Sequence, residues 1–233
     1  MRTAAILSTL AALGCGTPEP PPNVDPQRGP PLGPGQINQH DATREDVRTR
    51  DDCFRYSERP DFFGFCLHQV AQRGEGELGA DELCEGAGIW DSDCHNAWAI
   101  ARARPNSGWS KDVLLAACRA SDCKFEVLDF RPHPDVTEQV RLCSEHAGHF
   151  GGDCAAHAMD RWLRSAPSES GFAALKEVEL FPDRIGHYMG LAVGCFSIGS
   201  CGEETGVDER CQTTLREISD NPNMCVAMRD RTQ

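Results

Sequence analysis

No segment beyond residue 13 approaches the roughly 20 consecutive apolar residues that span a bilayer, so a transmembrane helix is excluded from the bulk of the chain. Aromatic residues are scarce, at 7% of 233; mean hydropathy is -0.46, and 22 Gly with 15 Pro leave little material for regular packing. Such a chain builds a thin core, and something besides burial has to hold it together. Positive charge is also short, with 23 Lys and Arg against 36 Asp and Glu and a net charge of -13. That balance argues against nucleic acid as a partner and against adsorption of the domain to anionic headgroups. Several chemical signatures are missing. The sequence contains no CxxC for a dithiol oxidoreductase, no CxxCH for covalent haem, no HExxH for a zinc protease and no KTG for a penicillin-recognising site.

Cysteine, by contrast, is abundant. Thirteen of them would stay free in a reducing cytosol and pair in an oxidising compartment. The N-terminus points to the same compartment: Arg2, an apolar run from Ala4 to Leu13 and then small residues make residues 1–14 a signal peptide. The sequence Ala12-Leu13-Gly14-Cys15 resembles the lipobox of bacterial lipoproteins, although Ala12 occupies the place where that family usually has leucine. The resemblance implies that Cys15 is lipidated and retained on a membrane face, with ordinary secretion as the alternative. It also implies the outer membrane, because Gly16 is not the aspartate linked to inner-membrane retention. Using Cys15 in this way leaves twelve cysteines, an even number.

Residues 15–40 then read as anchor plus tether. Residues 17–36, TPEPPPNVDPQRGPPLGPGQ, are rich in Pro and Gly without apolar periodicity, and a polyproline-like segment of that length reaches on the order of 50 Å. Removing the leader takes Arg2 with it, leaving 22 basic against 36 acidic residues, a mature charge of -14.

Residues 41–233 form a cysteine-rich helical region whose organisation is visible in one repeated phrase. AGIWDSDC at 87–94 returns as AGHFGGDC at 147–154, sharing Ala87/Ala147, Gly88/Gly148, the aromatics Trp90/Phe150, Asp93/Asp153 and Cys94/Cys154. Phe62 stands at the same offset from Cys66. Helical spacing precedes each copy, as in Val136, Val140, Cys143 and Ala147, and a second helical pattern follows. Gly88 and Gly148 fit a left-handed residue closing the first helix, and Asp93 and Asp153 are expected to cap the second. The phrase thus predicts a helical hairpin with Cys84–Cys94 and Cys143–Cys154 as staples across its two helices.

Cys53–Cys66 and Cys118–Cys123 extend the pattern. Further on, a helix led by Ser168 carries Phe172, Leu175 and Val178, and another opens at Pro182 and passes Ile185, Met189 and Ala192 toward Cys195. Cys195, Cys201, Cys211 and Cys225 can pair as neighbours or nest, and neighbour pairing is preferred here. Leading cysteines at 53, 84, 118 and 143 are spaced within the range of helical-hairpin solenoids. The expected fold is all-α, an irregular, solenoid-like stack of disulfide-stapled hairpins. Its layout is similar to that of disulfide-bearing secreted helical-repeat proteins but lacks their fixed repeat length, so no family is assigned to residues 40–233.

Residues that could carry chemistry are few. Glu145, His146, His149 and His157 are the local candidates for metal ligands, set against a reading as surface or capping side chains. His68 and His95 look incidental. Ser121-Asp122-Cys123-Lys124 matches SxxK and Ser219-Asp220-Asn221 matches SDN, both short enough to arise by chance. Ser197 fails the nucleophile elbow because Gly194 lies one residue too far away. Glu75, Glu77, Asp81 and Glu82 lack the ligand order of a calcium loop and suit a solvated connection. Trp90, Trp98, Trp109 and Trp162 are expected as core anchors. The function expected from these features is a non-enzymatic envelope lipoprotein, without a cofactor, that acts as a scaffold for a protein or peptide partner and meets the membrane only through its anchor. An enzyme or metal-binding protein using the His146/His149 region is the alternative, and a structural envelope component is a third.

Overall fold

The computed structural model describes residues 47–104, 107–165, 167–202 and 206–230. The expected signal peptide, the anchor Cys15 and the tether lie outside the described residues. Within them the chain is helical, with no strand. In chain order the helices are α1 Arg50–Cys53, α2 Pro60–Arg73, α3 Ala80–Cys84, α4 Asp91–Ala103, α5 Lys111–Ala117 and α6 Ser121–Phe130. They continue with α7 Val136–His146, α8 Gly151–Ser165, α9 Glu169–Lys176, α10 Pro182–Phe196, α11 Gly206–Asp220 and α12 Asn223–Asp230. Local signals explain several starts. Pro60 and Pro182 occupy the first helical turn, where a missing N–H costs nothing. Ser110, Asp135 and Ser168 accept backbone N–H bonds at the starts of α5, α7 and α9.

The repeated phrase builds the same turn twice. Ala87 and Ala147 are buried, and their carbonyls accept the N–H of Trp90 (3.1 Å) and Phe150 (3.0 Å). Gly88 and Gly148 hold φ of 59° and 53°, the left-handed region expected of them, and each opens one turn of 3₁₀ helix. The aspartates differ from expectation. Neither caps its helix; Asp93 and Asp153 are third residues of α4 and α8, inside the first turn, because the 3₁₀ turn runs directly into the helix without an extended capping residue. A carboxylate there still complements the helix dipole.

Staples join the expected cysteines. Cys53–Cys66, Cys84–Cys94, Cys118–Cys123 and Cys143–Cys154 are bonded with Cα separations of 5.6, 5.8, 5.6 and 5.5 Å. In each, the first cysteine belongs to the end of a shorter element and the second to the longer helix that follows. Helix α2 packs on α4, α4 on α6, α6 on α8, α8 on α10 and α10 on α11, while α3, α5 and α7 each touch the longer helix on either side. Helix α9 departs from this scheme by packing on α7 and α10, which makes the stack irregular. The apolar interior divides into two clusters. One gathers Leu67, Leu83, Trp98, Leu114 and Leu128, and the other Met159, Leu163, Leu175, Ile185 and Met189.

The last four cysteines correct the preference for neighbours, because they nest: Cys195 bonds Cys225 and Cys201 bonds Cys211. The reason lies in the chain between them. Gly202 N donates to Asp208 Oδ1 at 2.6 Å and Gln212 Nε2 donates to Gly202 O at 2.7 Å, so the loop after α10 is laid along the start of α11. Cys201 thereby faces Cys211, and Cys195 is left for α12, which packs on α10.

The α10–α11 contact rests on a glycine pattern along α10. Gly186, Gly190 and Gly194 recur every fourth residue, and a Cβ on each would lie within 2.7 Å of α11: Val207 O, Thr214 Cβ and Ile218 Cδ1. The three glycines form a groove into which α11 sits at close range.

The acidic connection at 75–79 is not merely solvated. Arg102, buried in α4, donates from Nη2 to the carbonyl of Glu75 (2.7 Å) and Trp98 Nε1 donates to that of Leu78 (2.9 Å). The guanidinium also lies over the Trp98 ring, 4.9 Å from its centroid, and burial lowers its pKa. A second arginine, Arg131, donates to the carbonyls of Ala103 (2.6 Å) and Arg104 (2.8 Å), satisfying the C-terminal end of α4.

Candidate functional site

The structure does not bring the metal candidates together. His149 is exposed on the 3₁₀ turn and leans on Phe150, 4.0 Å between ring centroids, at the place where the first copy has Ile89, itself 78% exposed. His146 lies 3.9 Å from Glu145, its neighbour in the chain. His157 turns to Asp129, with Nδ1 3.0 Å from Oδ1. Among the described residues no group of three or more His, Cys, Asp or Glu is placed to hold a metal ion. The hydrolase fragments fare no better. Cys123 of SxxK is disulfide-bonded, and SDN lies at the C-terminal end of α11.

Two histidines carry more structure than expected. His95 is buried and spans the Asp91 carbonyl (2.8 Å) and the Asp81 carboxylate (3.1 Å), which ties α4 to α3. His187 is half-buried between α10 and α11, with Thr214 Oγ1 and Arg210 Nη2 each 3.2 Å from Nδ1. Burial first, and Arg210 second, lower its pKa from the ordinary histidine value, against the opposite pull of Glu217 and Asp183; Arg184 adds to the lowering.

The folded interface therefore favours the neutral ring, while the unfolded chain takes its proton at about pH 6.5. His187's contribution to stability is complete above that pH and is lost as the pH falls through the depressed folded value. Thermal midpoints at pH 7.5 and 5.5 test this. The drop is expected to be smaller in His187→Gln than in the wild type, and equal drops would remove His187 from the acid response.

The clefts among the described residues include three of similar size. One of about 440 Å³ has Trp98, Trp109 and Val113 beside Asp81 and Arg119, whose charges are already paired at 3.3 Å. Another, of about 430 Å³, has Lys176 on its wall, paired at 3.2 Å with the buried Asp208. The third, of about 400 Å³, lies between residues 132–136 and helix α8 and is the most apolar of the three.

Two walls make this third cleft. Ala158, Arg161, Trp162 and Ser165 follow one another at helical spacing and present a single stripe of α8. Facing them, Pro132, His133, Pro134 and Val136 form a short segment with restricted backbone. Gln139, 1% exposed, fixes that segment: its Oε1 accepts the His133 N–H at 2.7 Å and its Nε2 donates to the Leu128 carbonyl at 3.1 Å.

Arg161 is fixed as well. Its Nη1 donates to Oδ1 (2.7 Å) and to the carbonyl (3.2 Å) of Asp129. Burial acts to raise the Asp129 pKa, but Arg161 and His157 together outweigh it, and the carboxyl stays below its ordinary value. Arg161 Nη2, by contrast, is shielded from solvent and has no hydrogen-bond partner. Trp162 was expected in the core; it is indeed buried, and it also lines the cleft. The sequence signal that could have marked this site is Pro-His-Pro upstream of a helix carrying Arg and Trp side by side.

Comparison with protein-family models, curated proteins and solved structures finds no match to this chain.

Proposed function

We propose that this protein is a lipid-anchored envelope scaffold that holds a protein or peptide partner, and that the cleft between residues 132–136 and α8 is where the partner docks. The observation that carries the proposal is the cleft itself: an apolar hollow with pre-positioned polar groups, which is the usual form of a ligand site. Six disulfides place the folded chain in an oxidising, extracytoplasmic setting. No described helix is long and apolar enough to cross a membrane. Anchoring at the outer membrane rests on Cys15 and the proline-rich tether, which would present the stack at a distance from the lipid surface. A stack of helices held by staples supplies a surface that changes shape little on binding.

Photo-crosslinking in the native envelope tests the assignment. A photoreactive residue at Ser165, on the cleft, is compared with one at Glu58, which is exposed and not among the cleft residues. The expected result is one reproducible crosslinked partner from position 165 and none from position 58. Equal capture at both positions, or capture at neither, would remove the cleft from the account.

A further inference from the structure

We infer that this cleft takes the C-terminal end of a peptide, with the last side chain apolar and the free α-carboxylate held by its basic wall. The inference rests on the binding-scaffold proposal and specifies the ligand. Three observations support it. First, the cleft's apolar surface comes from Val136, Ala158, Trp162 and the two prolines, a hollow suited to one aliphatic or aromatic side chain.

Second, the titratable groups lining it are His133, Arg161 and Arg164, with no carboxylate among them, on a chain whose net charge is -13. Asp129 and Asp160 hold Arg161 and Arg164 from outside the lining and leave the cleft, among the described residues, without a carboxylate of its own. Third, the Arg161 side chain is 36% exposed on this wall while its Nη1 is held by Asp129 Oδ1 at 2.7 Å, so a cationic group is fixed at the cleft before a ligand arrives, and a carboxylate is the partner it favours.

Size selects the chain end over an interior acidic residue. About 400 Å³ is near the lower limit for a ligand pocket. A C-terminal residue places its side chain and carboxylate on one α-carbon, so a single small hollow can hold both. An interior Asp or Glu would need the chain to enter and leave on either side.

The test uses the full-length, oxidised protein and fluorescein-labelled tripeptides ending in Val, Leu or Phe, each as free acid and as C-terminal amide, read by fluorescence anisotropy. At least one free acid is expected to bind saturably, with its amide weaker by about tenfold or more, since a charge-assisted hydrogen bond is lost. Arg161→Gln and Arg164→Gln are expected to weaken the acid and leave the amide nearly unchanged. Ser165→Trp, which fills the cleft from an exposed position, is expected to abolish both, with circular dichroism confirming that each variant is folded.

An amide that binds as tightly as its acid would overturn the carboxylate assignment. So would an interior-aspartate tripeptide amide that matches the acid, because it would shift recognition to a side chain. If no free acid binds at millimolar concentration while crosslinking from position 165 still captures a partner, the chain-end inference fails and the scaffold proposal stands. If both fail, the cleft is not a docking site.

Discussion

Reducing the six disulfides in the absence of denaturant is expected to unfold the domain. In the loop-entropy description, Cys118–Cys123, 5 residues apart, contributes about 2 kcal/mol, and Cys195–Cys225, 30 apart, contributes about 4 kcal/mol. The other four span 10 to 13 residues and fall between these values. Domains of ordinary size have a net stability of only about 5–15 kcal/mol, so losing all six contributions removes most or all of it. The near-UV circular dichroism signal is expected to vanish in reducing buffer, and the urea midpoint of the oxidised protein to disappear with it. A reduced protein that kept its near-UV signal and a cooperative transition would show that the two apolar clusters suffice. Among single bridges, replacing Cys195 and Cys225 together by Ser is expected to cost the most, because that pair closes the longest loop.

Gly190→Val, in the middle of the α10–α11 contact, is expected to be strongly destabilising. Its Cβ would lie 2.6 Å from Thr214 Cβ and 2.7 Å from the carbonyl oxygen of Cys211, and a backbone oxygen cannot swing aside as a side chain can. The helices must separate, but Cys195–Cys225 ties α10 to α12, and Cys201–Cys211 ties the loop after α10 to α11. Overpacking of this kind costs about 3 kcal/mol or more when the surroundings cannot relax. Gly206→Ala is the control: nothing lies within 4 Å of its Cβ position, and little change is expected. Urea denaturation of the two variants decides the matter. Equal midpoints would mean that α11 is held by its bridges rather than by the glycine groove.

Much of the fold was legible because its determinants are local. The Ala-Gly-x-aromatic phrase fixes a buried alanine, a left-handed glycine and an aromatic lid within four residues, so finding it twice meant finding the same turn twice. The first four staples followed because each pair is close in sequence, and two of them, Cys84–Cys94 and Cys143–Cys154, flank that turn. Asp93 and Asp153 sit three residues further into their helices than a cap would, the difference between a helix preceded by an extended cap and one entered directly from a 3₁₀ turn.

The features that escaped depend on segments distant in the chain. The spacing of Gly186, Gly190 and Gly194 acquires its role only when α11 is placed against them. The nested bridges depend on Asp208 and Gln212 fixing a loop that the sequence leaves free. His95 looked incidental because Asp81, its partner, is fourteen residues away. The cleft belongs to this second kind, since Pro132, His133 and Pro134 acquire meaning only opposite Ala158, Arg161 and Trp162.

By itself, then, the sequence determined an all-α chain for an oxidising compartment, with hairpins closed by cysteines that are neighbours along it. Turn conformation, helix periodicity and short-loop closure are all set within about a dozen residues, and within that range the covalent chain limits the choices. Only the tertiary structure decided which helices touch, how the last four cysteines pair and where a hollow remains. Those outcomes depend on contacts between segments the chain leaves free to move, and there the winner is set by packing and by satisfied hydrogen bonds.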